Sequence, residues 1–420
     1  MSAASELHRV IPKSLVAART TNPIRRIVDQ LKVKPNPNLE TIPLSIGDPT
    51  VYGNFRAPQH VIDNVLRDNL RSFAYNGYPH SCGYAAARQA VADENSVHPN
   101  HPPPTTDDVV MTCGASQAID MAIAALANSN GEDTILLPQP AFPLYNTLCS
   151  SRGINVDFYK LRSDRKFEVD ITSLQHCLEA NGSKARGVLL NNPSNPCGSN
   201  WTREHIQDIV ALCKEYGDIP IIADEIYHDM SFDGLPVTPF ASVSDTVPIL
   251  SIGGIAKRFM VPGWRVGWVC LHDRGDVLGD IRQGLHDLST LTLGPASLLQ
   301  SAVPSLLKET PTSYHNNNKK MLLENSRMIM DTLMDVPGLN IVEPQAAMYV
   351  MVGIDTGIID VEDDINFSRL LLEEQAVFVL PGQCFQLKDF FRIVITPPKD
   401  KIAEACSRIR QFCQNHRRSR

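Results

Sequence analysis

Through its middle third the chain alternates short apolar runs with stretches of helical periodicity. DDVVMT leads into SQAIDMAIAALA, DTILLP into AFPLYNTLCSSRG and GVLLNN into TREHIQDIVALCKEYG, with IPIIADEIY and PILSIGGIA following. Several of these runs are apolar at consecutive positions, as in strands covered on both faces. Helical stretches between them predict an α/β fold, a mostly parallel sheet held between helices. From about residue 313 the alternation stops. A long helix over 313–335, strand-like segments at 340–352 and 391–396, and helices at 363–375 and 399–416 predict a smaller α+β domain. The expected division is an N-terminal arm (1–26), a first part of the small domain (27–60), a large domain (61–312) and the rest of the small domain (313–420). The stretch KVKPNPNLE reads as a connector.

Composition narrows the class. With 420 residues, 43% of them hydrophobic, the chain can bury a large core in two or three domains. A net charge of −7 excludes a nucleic-acid binder working by bulk electrostatics. No apolar stretch approaches the roughly 18–20 residues that span a bilayer, so no membrane association is expected. The ten cysteines form no CxxC and sit mostly in apolar segments, as reduced core thiols of an intracellular protein do. The expected location is the cytoplasm, with the mitochondrion as the alternative should the arginine-bearing first 26 residues act as a transit segment. His98 and His101, in HPNHPPP, read as a surface loop rather than a metal site, and no HExxH occurs. The basic tail HRRSR reads as a solvated helix end.

The informative polar residues follow the apolar runs, where open α/β sheets bind ligands. After DDVVMT comes Cys113-Gly114-Ala115-Ser116, opening a helix. Small residues and free helical N–H groups there suit an anion, although Ser116 is equally an ordinary cap. After GVLLNN comes PSNPCG with Asn195, and after IPIIA come Asp224 and Tyr227. After PILSIGGIA comes Lys257, then Arg265 beyond a Pro-Gly turn. Each has a plain reading as a turn, cap or loop residue. Together they offer a phosphate cradle, an acid, a phenol and a lysine. There is no GxxxxGK[ST], and no GxGxxG with an acid about 20 residues on, so neither a P-loop nor a typical dinucleotide site is indicated. Pyridoxal 5′-phosphate asks for this set: a lysine for the Schiff base and an acid to keep the pyridine nitrogen protonated.

NPSNPCG, ADEIY and AKRFMVPGWRVGW, in that order, resemble the fold-type I pyridoxal-phosphate-dependent class I/II aminotransferases, and within them the members acting on tyrosine. The resemblance runs from NPIR (22–25) through LSIGDPT, NGYPHSCG and QPAFP to FFRIVIT (390–396). It implies a seven-stranded, mostly parallel sheet in the large domain and a homodimer. Lys257 would carry the cofactor and shuttle protons, with Asp224 on the ring nitrogen and Tyr227 and Asn195 on the ring oxygen. Phe142 would stack on the ring. Gly114, Ala115, Ser116 and Arg265 would hold the phosphate, joined by Tyr78 from the other subunit. Arg392 would bind the substrate carboxylate in two-pronged fashion, with Gly47, Asn195 and Asn22 around the substrate.

Two departures matter. Gly254 and Ala256 stand where many relatives of the family carry serine, a difference shared by the tyrosine-type members. The stretch GLHDLSTL (284–291) has no arginine to receive a second substrate carboxylate, although Arg282, Arg25 and Arg26 lie in reach of consideration. The expected activity is transfer of the amino group of aromatic amino acids, with phenylalanine, tryptophan and methionine beside tyrosine, to a 2-oxo acid by a two-stage mechanism. A carbon–sulfur β-lyase on the same scaffold and a cofactor-free metabolite-binding protein are the rivals.

Overall fold

The computed structural model describes residues 12–31, 33–232 and 234–418. The first eleven residues of the expected N-terminal arm and the last two of the basic tail lie outside the described residues. A two-residue strand, β1 (Ile42–Pro43), comes first. Next come β2 (Val109–Thr112), β3 (Thr134–Gln139), β4 (Asn155–Arg162), β5 (Glu168–Val169), β6 (Ala185–Asn191), β7 (Ile221–Asp224), β8 (Ile249–Gly254) and β9 (Gly267–His272). These eight form one sheet in the order β2-β9-β8-β7-β6-β3-β4-β5. Strands β8, β7, β6, β3 and β4 pair in parallel, and β9 runs against both β8 and β2. The expected seven strands are present, and the two-residue β5 adds an antiparallel eighth at the edge of β4.

Consecutive apolar residues make these strands because helices cover both faces. Every position of β2, β7 and β9 is buried. Ile119, Ala122 and Ile123 of the helix Ala115–Leu126 pack with Leu250, Ile252 and Val269 of the sheet, full burial of each side chain larger than alanine contributing about 1.5–3 kcal/mol. Helix starts follow local chemistry. Thr202 accepts from the His205 N–H at 3.2 Å, and Asp170 accepts from the Ser173 N–H at 3.1 Å, as capping side chains do.

Five further strands follow: β10 (Leu339–Val342), β11 (Tyr349–Ile354), β12 (Val377–Phe378), β13 (Leu380–Pro381) and β14 (Phe390–Val394). An antiparallel sheet forms in the order β10-β11-β14-β13. Helices Thr312–Leu333 and Lys399–Asn415 bury Leu322, Ile329, Leu333, Ile402, Ile409 and Phe412 in the same core as that sheet. The strand expected over 340–352 is divided, because residues 343–348 leave the ladder between β10 and β11. That division places Tyr349 at the first position of β11. Strand β1 pairs in parallel with β12, Ile42 opposite Val377, so the segment around residue 45 is anchored beside the C-terminal elements.

Candidate active site

A cavity of about 650 Å³ opens where the ends of the central strands meet the small sheet. The large sheet supplies Asn191, the last residue of β6, Asp224, the last of β7, and Lys257, just past β8. Ala115 and Ser116 line it from the helix N-terminus after β2, and Arg265 from the turn before β9. The small sheet supplies Tyr349 and Arg392, and residues Ser45 to Asp48 join them. Most site residues expected from the sequence are thereby brought to one place.

Lys257 donates from Nζ to the Gly47 carbonyl at 2.5 Å, which places its amine on the cavity wall. Asp224 is buried and accepts from the Tyr145 hydroxyl at 2.6 Å and the Ile226 N–H at 3.2 Å. Burial raises its pKa from 3.8 to about 6, with those two hydrogen bonds opposing the rise. A carboxylate held so far from water favours a cationic partner in the cavity. Burial also pushes the Tyr227 phenol well above its ordinary range. The two phenol oxygens lie 2.7 Å apart. Phe142 lines the cavity and meets Tyr145 edge to face, with centroids 5.8 Å apart.

Arg392 is only 3% exposed. It donates to Asn195 Oδ1 and to the Ser45 carbonyl, both at 2.8 Å. Its Nε has no partner among the described residues, and burial lowers its pKa. A buried guanidinium without a carboxylate is costly, and an incoming carboxylate removes that cost. With its Oδ1 so engaged, Asn195 keeps its NH₂ end for a ligand. Across the cavity, Arg265 adopts a left-handed φ of 51° and donates to the Cys113 carbonyl at 3.2 Å. Gly114, at φ 81°, permits this, since a Cβ there would stand 2.6 Å from Arg265 Nη2.

One expected site residue is placed elsewhere. Asn22 does not line the cavity. Its Oδ1 accepts from the N–H groups of Ile24 and Arg25, at 3.0 and 3.3 Å, and so caps the helix Pro23–Leu31. That helix instead lends Ile24, Arg25 and Val28 to the cavity. Tyr78 is 90% exposed and does not line the cavity of its own chain. Residues 284–291 are also absent from the lining, and Arg282 is paired with Asp108 at 2.9 Å and Asp273 at 3.4 Å. His98 and His101 do gain a neighbour invisible in the sequence, Asp245, at 3.4 and 3.7 Å. His98 Nδ1 accepts from the Asn100 N–H at 3.2 Å, which leaves the proton on Nε2, facing Asp245 as a donor rather than a ligand. Tyr145, Tyr349 and Asn191 went unnoticed in the sequence. For Asn191, the doubled Asn before a proline turn was the available signal. Its Oδ1 accepts from the Asn195 N–H at 2.7 Å, and its Nδ2 donates to the Asp224 carbonyl at 2.9 Å.

A strand-end lysine, a buried acid and a small-residue helix start on a sheet of this order define a class, and comparison with known proteins agrees. The family model for aminotransferase class I and II matches residues 40–409, and the chain belongs to that family. A tyrosine aminotransferase of Mus musculus is 45% identical over 400 residues, covering 95% of this chain and 86% of that one. The tyrosine aminotransferase of Dictyostelium discoideum is 45% identical over 414 residues, 97% of each chain. The crystal structure of tyrosine aminotransferase from Leishmania infantum superposes with a TM-score of 0.90 at 34% identity, over 98% of this chain and 100% of that one. Aminotransferases of this family depend on pyridoxal 5′-phosphate, and the cavity fits it. The unmatched carboxylate of Asp224 suits a ring nitrogen, and the Arg265 guanidinium, brought close to the helix start by the missing Cβ of Gly114, suits a phosphate.

Proposed function

We propose that this protein is a transaminase of aromatic amino acids, acting on tyrosine, phenylalanine and tryptophan, and also on methionine. The observation that carries this reading is the buried Arg392, with its unpartnered Nε, in the same cavity as Lys257. The remaining lining includes Ile24, Val28, Ile46, Phe378 and Leu380, a surface for an apolar side chain. Arg392 binds the α-carboxylate and fixes the substrate's orientation. Asp224 holds the proton on the ring nitrogen, and Tyr227 and Asn195 donate to the ring oxygen. Phe142 packs against the ring face, and Gly114, Ala115, Ser116 and Arg265 hold the phosphate. Bound there, pyridoxal phosphate supplies an electron sink and a carrier for the amino group. Lys257 would anchor it covalently, and its amine, when free, would carry the proton from the substrate's α-carbon. The kinetics expected of such a covalent carrier are ping-pong.

The active unit in this reading is a homodimer, in which the partner subunit's Tyr78 reaches the phosphate. The exposure of Tyr78 and Phe73 on the lone chain supports it. Ten free thiols support a reducing compartment, for which we propose the cytoplasm over the mitochondrion; cell fractionation checks this. Keto acids of phenylalanine and methionine should serve as acceptors at least as well as 2-oxoglutarate, since Arg25, the lining cation left for a second carboxylate, is exposed and pairs such a charge only weakly. If 2-oxoglutarate outruns them by more than about tenfold, roughly 1.4 kcal/mol, Arg25 takes that role, and Arg25→Leu should abolish the preference.

Two measurements test the core reading. Borohydride should fix the cofactor on the peptide containing residues 253–265, and Lys257→Ala should lose both the label and turnover. Tyrosine should convert the purified enzyme to its aminated state with release of the keto acid. Release of pyruvate from cystathionine, without that conversion, would make it a lyase.

A further inference from the structure

Tyr349 opens β11 with 1% of its surface exposed, and three parts of the cavity converge on it. Its Oη lies 2.7 Å from that of Tyr227, which comes from the loop after β7. Its ring lies under Arg392, with Cζ 4.4 Å from the centroid. Gly47, whose carbonyl accepts from Lys257, runs so close that a Cβ there would stand 2.9 Å from the Tyr349 hydroxyl. In a phenol pair at this distance one hydroxyl donates and the other accepts. The accepting phenol keeps its own proton for a third group. Tyr227 can therefore donate to an oxygen in the cavity while keeping this bond only if Tyr349 is the donor.

We propose that Tyr349 is a positioning residue for the transamination: it donates to Tyr227 and so directs the Tyr227 proton onto the ring oxygen of the cofactor. The inference rests on the role given above to Tyr227. Two physical effects favour this direction. The Arg392 cation over the Tyr349 ring draws charge from its hydroxyl and makes it the better donor. Accepting that bond then strengthens Tyr227 as a donor in turn, because linked hydrogen bonds polarise one another in a medium of low dielectric. The side chain is thus a bridge between the carboxylate arginine and the ring oxygen.

The test is a pH titration of the holoenzyme's visible absorption in the wild type, Tyr227→Phe, Tyr349→Phe and the double variant. A hydrogen bond donated to the ring oxygen weakens that oxygen's hold on the proton it shares with the neighbouring nitrogen, so losing the bond raises the midpoint. Tyr227→Phe should raise it by about 1–2 pH units, the effect of one bond to a charged group. Tyr349→Phe, which keeps the ring under Arg392, should raise it by roughly 0.5 units or more. The double variant should match Tyr227→Phe alone, since Tyr349 acts through Tyr227. An unchanged or lowered midpoint in Tyr349→Phe, or additive shifts in the double variant, would overturn the proposal. A Tyr227→Phe midpoint equal to that of the wild type would overturn the reading of Tyr227 itself, and the proposal with it.

Discussion

Asp224 and Arg392 are buried charges of opposite sign, and neither has an ion-pair partner among the described residues. Burial lifts the Asp224 pKa to about 6, so the folded, cofactor-free protein binds that proton more tightly than the unfolded chain. The corresponding stability is fully present below the unfolded pKa near 4 and is lost as pH rises through about 6. At pH 8 the ionised carboxylate costs the cofactor-free fold about 3 kcal/mol. Asp224→Asn should therefore raise the unfolding midpoint of the cofactor-free protein at pH 8, with the gain fading toward pH 4 in thermal scans. Turnover of the loaded variant should fall by ~10²–10³, the effect of losing one preorganised charge. Arg392→Lys loses the two-pronged geometry. It should raise KM for every amino acid alike in steady-state assays, whereas an effect confined to some donors would place Arg392 at the side-chain end.

At the scale of elements, the proposed phosphate cradle depends on how closely one strand approaches one helix start. A Cβ on Gly267, the first residue of β9, would stand 2.5 Å from the Ala115 nitrogen and 2.6 Å from the Gly114 carbonyl carbon. Backbone meets backbone there, so neither side can yield by rotating a side chain. Gly267→Ala should push the helix start away from Arg265 at a cost of about 1–3 kcal/mol. The expected result is cofactor affinity lowered by tenfold or more in an equilibrium titration, with the circular dichroism of the fold retained. Affinity equal to the wild type would mean that the cradle lies elsewhere. The long helices and buried strands were legible from periodicity, because local sequence sets which face is apolar. The break between β10 and β11 was legible too, in Glu343-Pro344-Gln345, since a proline flanked by polar residues does not continue a strand buried at every position, and the single strand expected over 340–352 overlooked it.

For the whole molecule, the site draws on both sheets, and in the proposed dimer on both subunits. Complementation tests the latter. Mixing Lys257→Ala with Tyr78→Ala, and letting the subunits exchange at limiting cofactor, should give hybrids with one intact site. If subunits combine at random, activity should return to about a quarter of the wild-type value. Mixed samples no more active than the sum of their parents would refute the shared site.

The sequence by itself determined the residues that follow strand ends: Gly114, Ser116, Asn195, Asp224, Tyr227, Lys257 and Arg265. Each stands within a few positions of an apolar run, and parallel sheets present such positions on one edge. Only the tertiary structure decided which side chains complete them. Tyr145 reaches Asp224 across 79 positions of sequence and Tyr349 reaches Tyr227 across 122. Asn22, grouped with the substrate by its place in NPIR, turns back to cap its own helix, while Ile24, Arg25 and Val28 face the cavity. A buried tyrosine looks the same in sequence whether its hydroxyl meets a core carbonyl, as Tyr159 meets that of Leu189, or a buried carboxylate, as Tyr145 meets Asp224. The difference lies in which strands become neighbours, a property of the packed chain rather than of any local pattern within it.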